Sequence, residues 1–293
     1  MPVLKFGSQG AAVVSVQGAL ISGGFLRGPA DGVFGLVTQA AVIAFQKTKG
    51  LRVDGVMGSA TLAMLIPGSG DIARYARGVD VSHYQGTVNW QKVSAAGFSF
   101  VYAKASESIQ DVDINFSRNW SDLKGGALLR GAYHFFDSCK DPAVQAALFC
   151  KTVGPLASAD LPPMLDFEDV GKDGLSPDQR MSAVLVWLQA VEAGLGKRPI
   201  LYTNAYFFED CAGNSARLAG YKLWVAQYPA DLSGTQFAAA SPPPAASVHV
   251  PSAWSNWSLW QYTAQGCIPG AFSGGNFVDF DVFQGGRNEL IGL

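Results

Sequence analysis

Leu161-Pro162-Pro163-Met164-Leu165-Asp166-Phe167-Glu168-Asp169 is an apolar run that ends abruptly in three carboxylates. The tandem prolines bar a helix from starting on their left, and the pattern predicts a short buried strand over Met164 to Glu168. Residues i and i+2 of a strand share a face, so Asp166 and Glu168 point to one side and Phe167 to the other. Their Cα atoms then stand roughly 6.5 Å apart. Two like charges held that close push one pKa upward, which is the starting condition for a general acid. The same D-x-E also fits a solvated strand end running into an acidic loop, so the motif by itself leaves both readings open.

Runs of the same kind flank this one. Strands are predicted at Gly78–Ser82, Phe98–Lys104, Leu129–Phe136, Pro199–Asn204, Tyr221–Gln227, Ser258–Tyr262 and Asn276–Phe283. Helical patterns fall between most of them, at Asn89–Ala96, Asn115–Lys124, Ala143–Thr152 and Pro177–Gly194, the last opening after the cap-like Ser176-Pro177. Alternating strands and crossover helices of this number predict an α/β fold closed into a β/α barrel over residues 78–293. The alternation breaks late, where a Pro/Ala/Ser stretch (Ala238 to Pro251) replaces a helix, so the barrel is expected to be irregular.

In a barrel the carboxyl ends of the strands converge on one mouth. Those ends carry Asp80, Lys104 with Glu107, Tyr133-His134, Asp166 with Glu168, Tyr202 with Asn204, Trp224 with Gln227, Gln261-Tyr262, and Asp279 with Asp281. Carboxylates walled by flat rings suit a sugar, whose hydroxyls accept and donate hydrogen bonds and whose C–H faces stack on aromatics. Trp254, Trp257 and Trp260 fit either a sugar platform or packing, and Lys104 is expected to pair with Glu107. The three histidines show no metal-binding spacing, and His134 reads as a hydrogen-bonded core residue. Neither a metal nor a cofactor is expected.

The first 67 residues contain an echo: Asp31-Gly32-Val33-Phe34-Gly35 followed by Thr38 recurs as Asp54-Gly55-Val56-Met57-Gly58 followed by Thr61. Each copy is a turn running into a helix. Apolar stripes at Val13, Val16, Leu20, Ile21 and at Ala40, Val42, Ala44, Phe45 complete a small three-helix domain over residues 1–67, with a linker at 68–77. The pattern Gly7-Ser8-x-Gly10-x-x-Val13-x-x-Val16-Gln17-x-x-Leu20, with the two Asp-Gly turns and Ala41-Val42-x-x-Phe45-Gln46, resembles the peptidoglycan-binding domain type 1 family. That resemblance implies binding to the bacterial cell wall.

Composition narrows the remaining classes. A hydrophobic content of 48% with 15% charged residues describes a folded globule rather than a disordered chain. No apolar run is long enough to span a membrane, and Met1 to Gly7 lacks the apolar core of a secretory signal. Synthesis in a host cytosol is therefore expected, with release to the wall by another route such as a holin-made lesion. Net charge is −2, with five basic against two acidic side chains in residues 1–70, which argues against nucleic acid as partner. The four scattered cysteines are expected to be buried thiols, with a Cys139–Cys150 bridge as the alternative. A monomer is expected.

A second resemblance covers about residues 77–288. Gly78-Val79-Asp80-Val81-Ser82-His83-Tyr84-Gln85-Gly86, Tyr102-Ala103-Lys104-Ala105-Ser106-Glu107, Gly131-Ala132-Tyr133-His134-Phe135, the Leu161–Glu168 run, Leu201-Tyr202-Thr203, Leu223-Trp224-Val225-Ala226, Leu259-Trp260-Gln261-Tyr262 and Val278-Asp279-Phe280-Asp281 look like glycoside hydrolase family 25. This is a family of lysozymes (N-acetylmuramidases) with an irregular β/α barrel. The resemblance implies cleavage of the β-1,4 bond between N-acetylmuramic acid and N-acetylglucosamine, with Glu168 as general acid. Asp166 would steer the substrate or its 2-acetamido group, and Asp80 and Asp279 would complete the acidic floor. Tyr133, Tyr202, Trp224, Tyr262, Gln261, Glu107 and Asp281 are then expected around the substrate. The whole resembles a modular phage endolysin. Two departures stand out: Ser108 follows Glu107 where the family usually carries Gly, and Asp281 stands where Asn is common, leaving either Asp279 or Asp281 as the last active-site acid. A catalytically silent wall binder of the same fold is the main rival. An amidase or peptidase would need a zinc or Cys/His site that the sequence does not offer.

Overall fold

The computed structural model describes residues 3–65, 75–169, 171–213, 215–228, 237–238, 248–274 and 277–293. Helices α1 (Ala11–Ser22), α2 (Leu36–Thr48) and α3 (Ser59–Leu65) form the small N-terminal unit. They close on Val13, Val16, Leu20, Phe34, Val42, Phe45 and Met57, all buried. The sequence echo has a shared physical cause. Buried Gln17 donates from Nε2 to Asp31 Oδ1 (2.8 Å), Val33 O (3.0 Å) and Thr38 Oγ1 (2.9 Å), and accepts from Gly32 N (2.9 Å). Gln46 repeats this with Asp54 Oδ1 (2.9 Å), Val56 O (3.0 Å), Thr61 Oγ1 (3.1 Å) and Gly55 N (2.9 Å). Each Asp-Gly turn is thus clamped to the preceding helix by one amide whose hydrogen-bonding capacity is used inside the fold. Most of the expected linker lies outside the described residues, and the first barrel strand already begins at Ala76.

The larger unit contains β1 (Ala76–Val81), β2 (Phe100–Glu107), β3 (Asp111–Val112), β4 (Leu129–Phe135), β5 (Met164–Asp166), β6 (Ile200–Asn204), β7 (Lys222–Ala226), β8 (Phe237–Ala238), β9 (Leu259–Cys267) and β10 (Val278–Phe283). Eight of them close in the order β1-β10-β9-β7-β6-β5-β4-β2 and back to β1, while β3 pairs with β2 and β8 with β9. Seven of the eight run parallel. The eighth, β10, is antiparallel to both neighbours, with Asp80 opposite Asp279 and Gly78 opposite Asp281. The irregularity of the barrel is therefore a reversed closing strand, and most of the expected Pro/Ala/Ser connection (239–247) lies outside the described residues. Outside lie α4 (Trp90–Ala95), α5 (Phe116–Asp122), α6 (Pro142–Val153), α7 (Pro177–Leu195), α8 (Ala205–Ala212) and α9 (Arg287–Ile291). The start of α7 follows from local chemistry, with Ser176 and Gln179 forming a capping box around Pro177.

The two-residue period of the strands sorts the core into two layers. Val101, Ala103, Leu165, Phe167, Leu201, Val225, Trp260 and Phe280 face outward under the helices. Phe100, Tyr102, Met164, Ile200, Trp224, Leu259 and Phe283 fill the barrel interior. Two glycines make room for that filling. A Cβ on Gly78 would stand 2.0 Å from the Phe100 ring, and one on Gly131 2.4 Å from the Tyr102 ring. Trp257 and Trp260 are buried, and Trp254 packs on Phe208 and donates to Tyr221 O at 2.8 Å, so this trio is packing rather than platform. The cysteines also depart from expectation: all four are reduced thiols, but only Cys211 is buried, and Cys139 is exposed.

Candidate active site

The inward residues at the mouth end of the strands come together around a cavity of about 310 Å³. Its lining includes Asp80, Lys104, Tyr133, Asp166, Glu168, Tyr202, Gln261 and Asp279 from seven different strands or the residues just after them. β5 ends at Asp166, and Glu168 follows on the same side two residues later, while Phe167 turns outward against Phe136 and Phe207.

Gln261 ties three of these groups together. Its Nε2 donates to Asp80 Oδ2 at 2.7 Å, and its Oε1 accepts from the hydroxyls of Tyr202 (2.8 Å) and Tyr228 (2.6 Å). Tyr202 also stands 3.4 Å from Glu168 Oε2. A hydroxyl carries one proton. When that proton goes to Gln261, the Tyr202 oxygen can accept from protonated Glu168, and when it swings to Glu168 it favours the carboxylate. Lys104 lines the same cavity, paired with Glu107 at 2.5 Å.

Burial dominates the titration of the acids. It raises Asp80 to about 6, against the hydrogen bond from Gln261 that favours its ionised form. Asp166 is pushed well above the carboxylate range by burial and then by the charges of Glu168 and Asp80. Asp279 and Asp281 are pushed well up by burial and then by Asp80. Glu168 is raised by burial, with the Tyr202 hydroxyl and Lys104 partly opposing the rise. Burial therefore favours the protonated form of each carboxyl in the cavity, most strongly at Asp166 and Asp279.

Four expected residues sit elsewhere. Tyr262 points outward against Trp260 and Phe280, because its neighbour Gln261 points inward and strand residues alternate. Trp224 points inward but lies fully buried beneath the cavity, edge-on to Tyr102 and Tyr202. Glu107 reaches the site only through Lys104. Asp281 lies one inward step below Asp279 on the reversed strand, which makes Asp279 the acid that lines the cavity. Asp281 being held neutral also accounts for an Asp at a position where the resembling family commonly has Asn, since a neutral acid and an amide are near isosteres.

The other departure is also local. Ser108 adopts φ +52°, a left-handed conformation that favours Gly, and its hydroxyl donates to Asp137 Oδ2 at 2.8 Å. His134 is buried between Ser106 Oγ (2.8 Å from Nδ1) and Gln145 Oε1 (3.1 Å from Nε2), and burial lowers its pKa to about 4. Sequence reasoning passed over Tyr228, Tyr84, Ser82 and Gln85, which also line the cavity from the segments just after β7 and β1. Their signal was the position immediately beyond a strand end, not the strand itself. Among the described residues, no group of three or more His, Cys, Asp or Glu is arranged to hold a metal ion, and no helix is long and apolar enough to cross a membrane.

Asp281→Asn tests the buried charge. Between the ordinary carboxylate pKa and its raised folded value, Asp281 binds a proton in the native state that the unfolded chain has released. Stability therefore falls as pH rises through that window, by about 1.4 kcal/mol per pH unit crossed. The amide removes this loss. The variant is expected to melt close to wild type at pH 4 and roughly 3 °C or more above it at pH 8, as read by calorimetry.

The sequence model of glycosyl hydrolases family 25 matches residues 79–271, about two thirds of the chain, and a peptidoglycan binding domain model matches residues 9–65. The protein named "Uncharacterized protein YegX" from Escherichia coli strain K12 is 34% identical over 256 residues, covering 84% of this chain and 82% of its own. Lysozyme M1 of Streptomyces globisporus is 31% identical over 225 residues, covering 74% and 70%. Among solved structures, the bacterial lysozyme from Streptomyces coelicolor superposes with a TM-score of 0.64 at 31% identity, over 74% of this chain and 96% of that one.

Proposed function

Since the chain belongs to glycosyl hydrolases family 25 and carries a peptidoglycan-binding unit ahead of its barrel, we propose that it cleaves the β-1,4 bond from N-acetylmuramic acid to N-acetylglucosamine in bacterial peptidoglycan, with Glu168 as the general acid. The observation that carries this reading is the placement of Glu168: it lines the cavity, is raised by burial, and faces one hydroxyl that can stabilise either protonation state. Such an acid can protonate the leaving glycosidic oxygen and recover its proton in the second half of the reaction. Asp80, whose ionised form is favoured by the hydrogen bond from Gln261, supplies negative charge against the developing oxocarbenium ion. Asp166, pushed towards its neutral form by burial and by Glu168, would donate a hydrogen bond to the 2-acetamido group of the substrate.

The small unit holds the barrel on the wall, raising the local concentration of glycan. The enzyme acts on the cell wall after leaving the cytoplasm of the cell that makes it, in the manner of a phage endolysin, and works as a monomer. The bond is tested by digesting purified peptidoglycan, reducing the soluble fragments with borohydride and identifying the reduced sugar by mass spectrometry. Reduced muramic acid at the new ends is expected. Reduced glucosamine there would overturn the assignment of the bond.

A further inference from the structure

Two pairs of neighbouring rings, each with an exposed tyrosine, follow strand ends at the mouth of the barrel, and of these tyrosines Tyr84 lines the catalytic cavity. Just after β1, Tyr84 leans on His83 with centroids 4.1 Å apart and the rings tilted by 38°. Just after β6, at the start of α8, Tyr206 stacks on His249 at 4.9 Å with the rings within 19° of parallel. The tyrosines are 72% and 61% exposed, more than any other aromatic side chain described in the barrel domain. Each histidine is pinned by a carboxylate: His83 Nδ1 lies 2.9 Å from Asp113 Oδ2, and His249 Nε2 lies 2.9 Å from Glu209 Oε1. The supports are themselves fixed. Buried Asp113 also accepts from His83 N (2.8 Å) and Asn115 N (2.9 Å), and His249 N donates to Gln227 Oε1 (2.6 Å) beside the end of β7. A ring held rigid with its face to solvent loses little entropy when a ligand stacks on it.

Their positions in the barrel give the pairs a joint meaning. In the closed ring of eight strands, β1 and β6 are four strands apart by either route, so the strand ends that carry the two pairs lie on opposite sides of the mouth. Tyr84 also borders the cavity, and on the other side Tyr228 reaches into the cavity to Gln261 while its neighbour Gln227 accepts from His249 N. A linear chain of β-1,4-linked pyranoses seated on Glu168 and running from β1 to β6 would pass over both.

We propose that His83–Tyr84 and Tyr206–His249 are two outer sugar-binding platforms that hold a long glycan strand on either side of the cleaved bond. The proposal rests on the glycosidase reading of the central cavity. Each platform takes the apolar C–H face of a pyranose on its tyrosine ring, so the enzyme favours strands long enough to reach both over fragments that fill only the cavity.

The test compares kcat/KM on soluble peptidoglycan strands of ten or more sugars with that on the tetrasaccharide, for wild type, Tyr84→Ala/Tyr206→Ala and Tyr84→Phe/Tyr206→Phe. The ratio of long to short is expected to fall about tenfold in the alanine variant, equivalent to roughly 1.4 kcal/mol, and to stay at the wild-type value in the phenylalanine variant, which keeps the rings. A wild-type preference for long strands that survives in the alanine variant overturns the platforms while leaving the glycosidase reading intact. A wild type that cleaves neither substrate overturns the glycosidase reading and the platforms with it.

Discussion

Glu168→Gln is expected to lower kcat on soluble glycan fragments by about 10²–10⁴-fold, the usual contribution of a general acid, while fragment affinity changes little. Gln matches Glu in size and keeps a hydrogen-bonding head 3.4 Å from the Tyr202 hydroxyl, so the cavity should retain its shape. What is lost is the transferable proton. Burial raises the Glu168 pKa in the native cavity, which favours the protonated form that donates to the leaving oxygen, and an amide cannot release a proton. Steady-state kinetics with a separate binding titration checks both halves. A variant that loses affinity and keeps kcat would assign Glu168 to binding alone.

Asp80→Asn is expected to cost about 10²–10³-fold in kcat/KM, the size of effect seen when one preorganised electrostatic group is removed from a charge-stabilising site. Asp80 is raised to about 6, and the hydrogen bond from Gln261 favours its ionised form. Its charge matters only when it has lost its proton, so wild-type activity should fall as pH drops through about 6. The repulsion between Asp80 and Glu168 acts on both partners. Removing the Asp80 charge makes Glu168 easier to ionise, so the alkaline limb of the pH profile should move to lower pH in the variant. The two limbs belong to the coupled pair rather than to either residue alone. An unchanged profile with a merely lower plateau would make Asp80 a structural residue.

Much of the barrel was legible because buried strands bounded by turn residues leave a strong local pattern. The eight predicted strands correspond to the eight that close the barrel, and the D-x-E at the end of β5 does place Asp166 and Glu168 on one side. The misplacements have identifiable causes. Gln261 and Tyr262 were both expected at the substrate, yet adjacent residues of a strand cannot share a face. Asp279 and Asp281 could not be ranked because strand direction is set by long-range pairing, and β10 runs backwards, which puts its first acid at the mouth. Trp224 shows the correct face at the wrong depth, and depth depends on the stagger of neighbouring strands, which no local pattern records. Helices α8 and α9 were missed because they are short. The roles of Gln17 and Gln46 also needed the fold, since their partners lie up to 21 residues away.

The central claim is that this cavity breaks a glycosidic bond through Glu168. Its most direct test counts new reducing ends and new free amines released from purified peptidoglycan by wild type and by Glu168→Gln. Reducing ends with wild type that vanish in the variant, with no rise in amines from either, are the predicted result. Amines without reducing ends would place the cut in the peptide, and neither product from wild type would leave a wall-binding protein with a silent barrel.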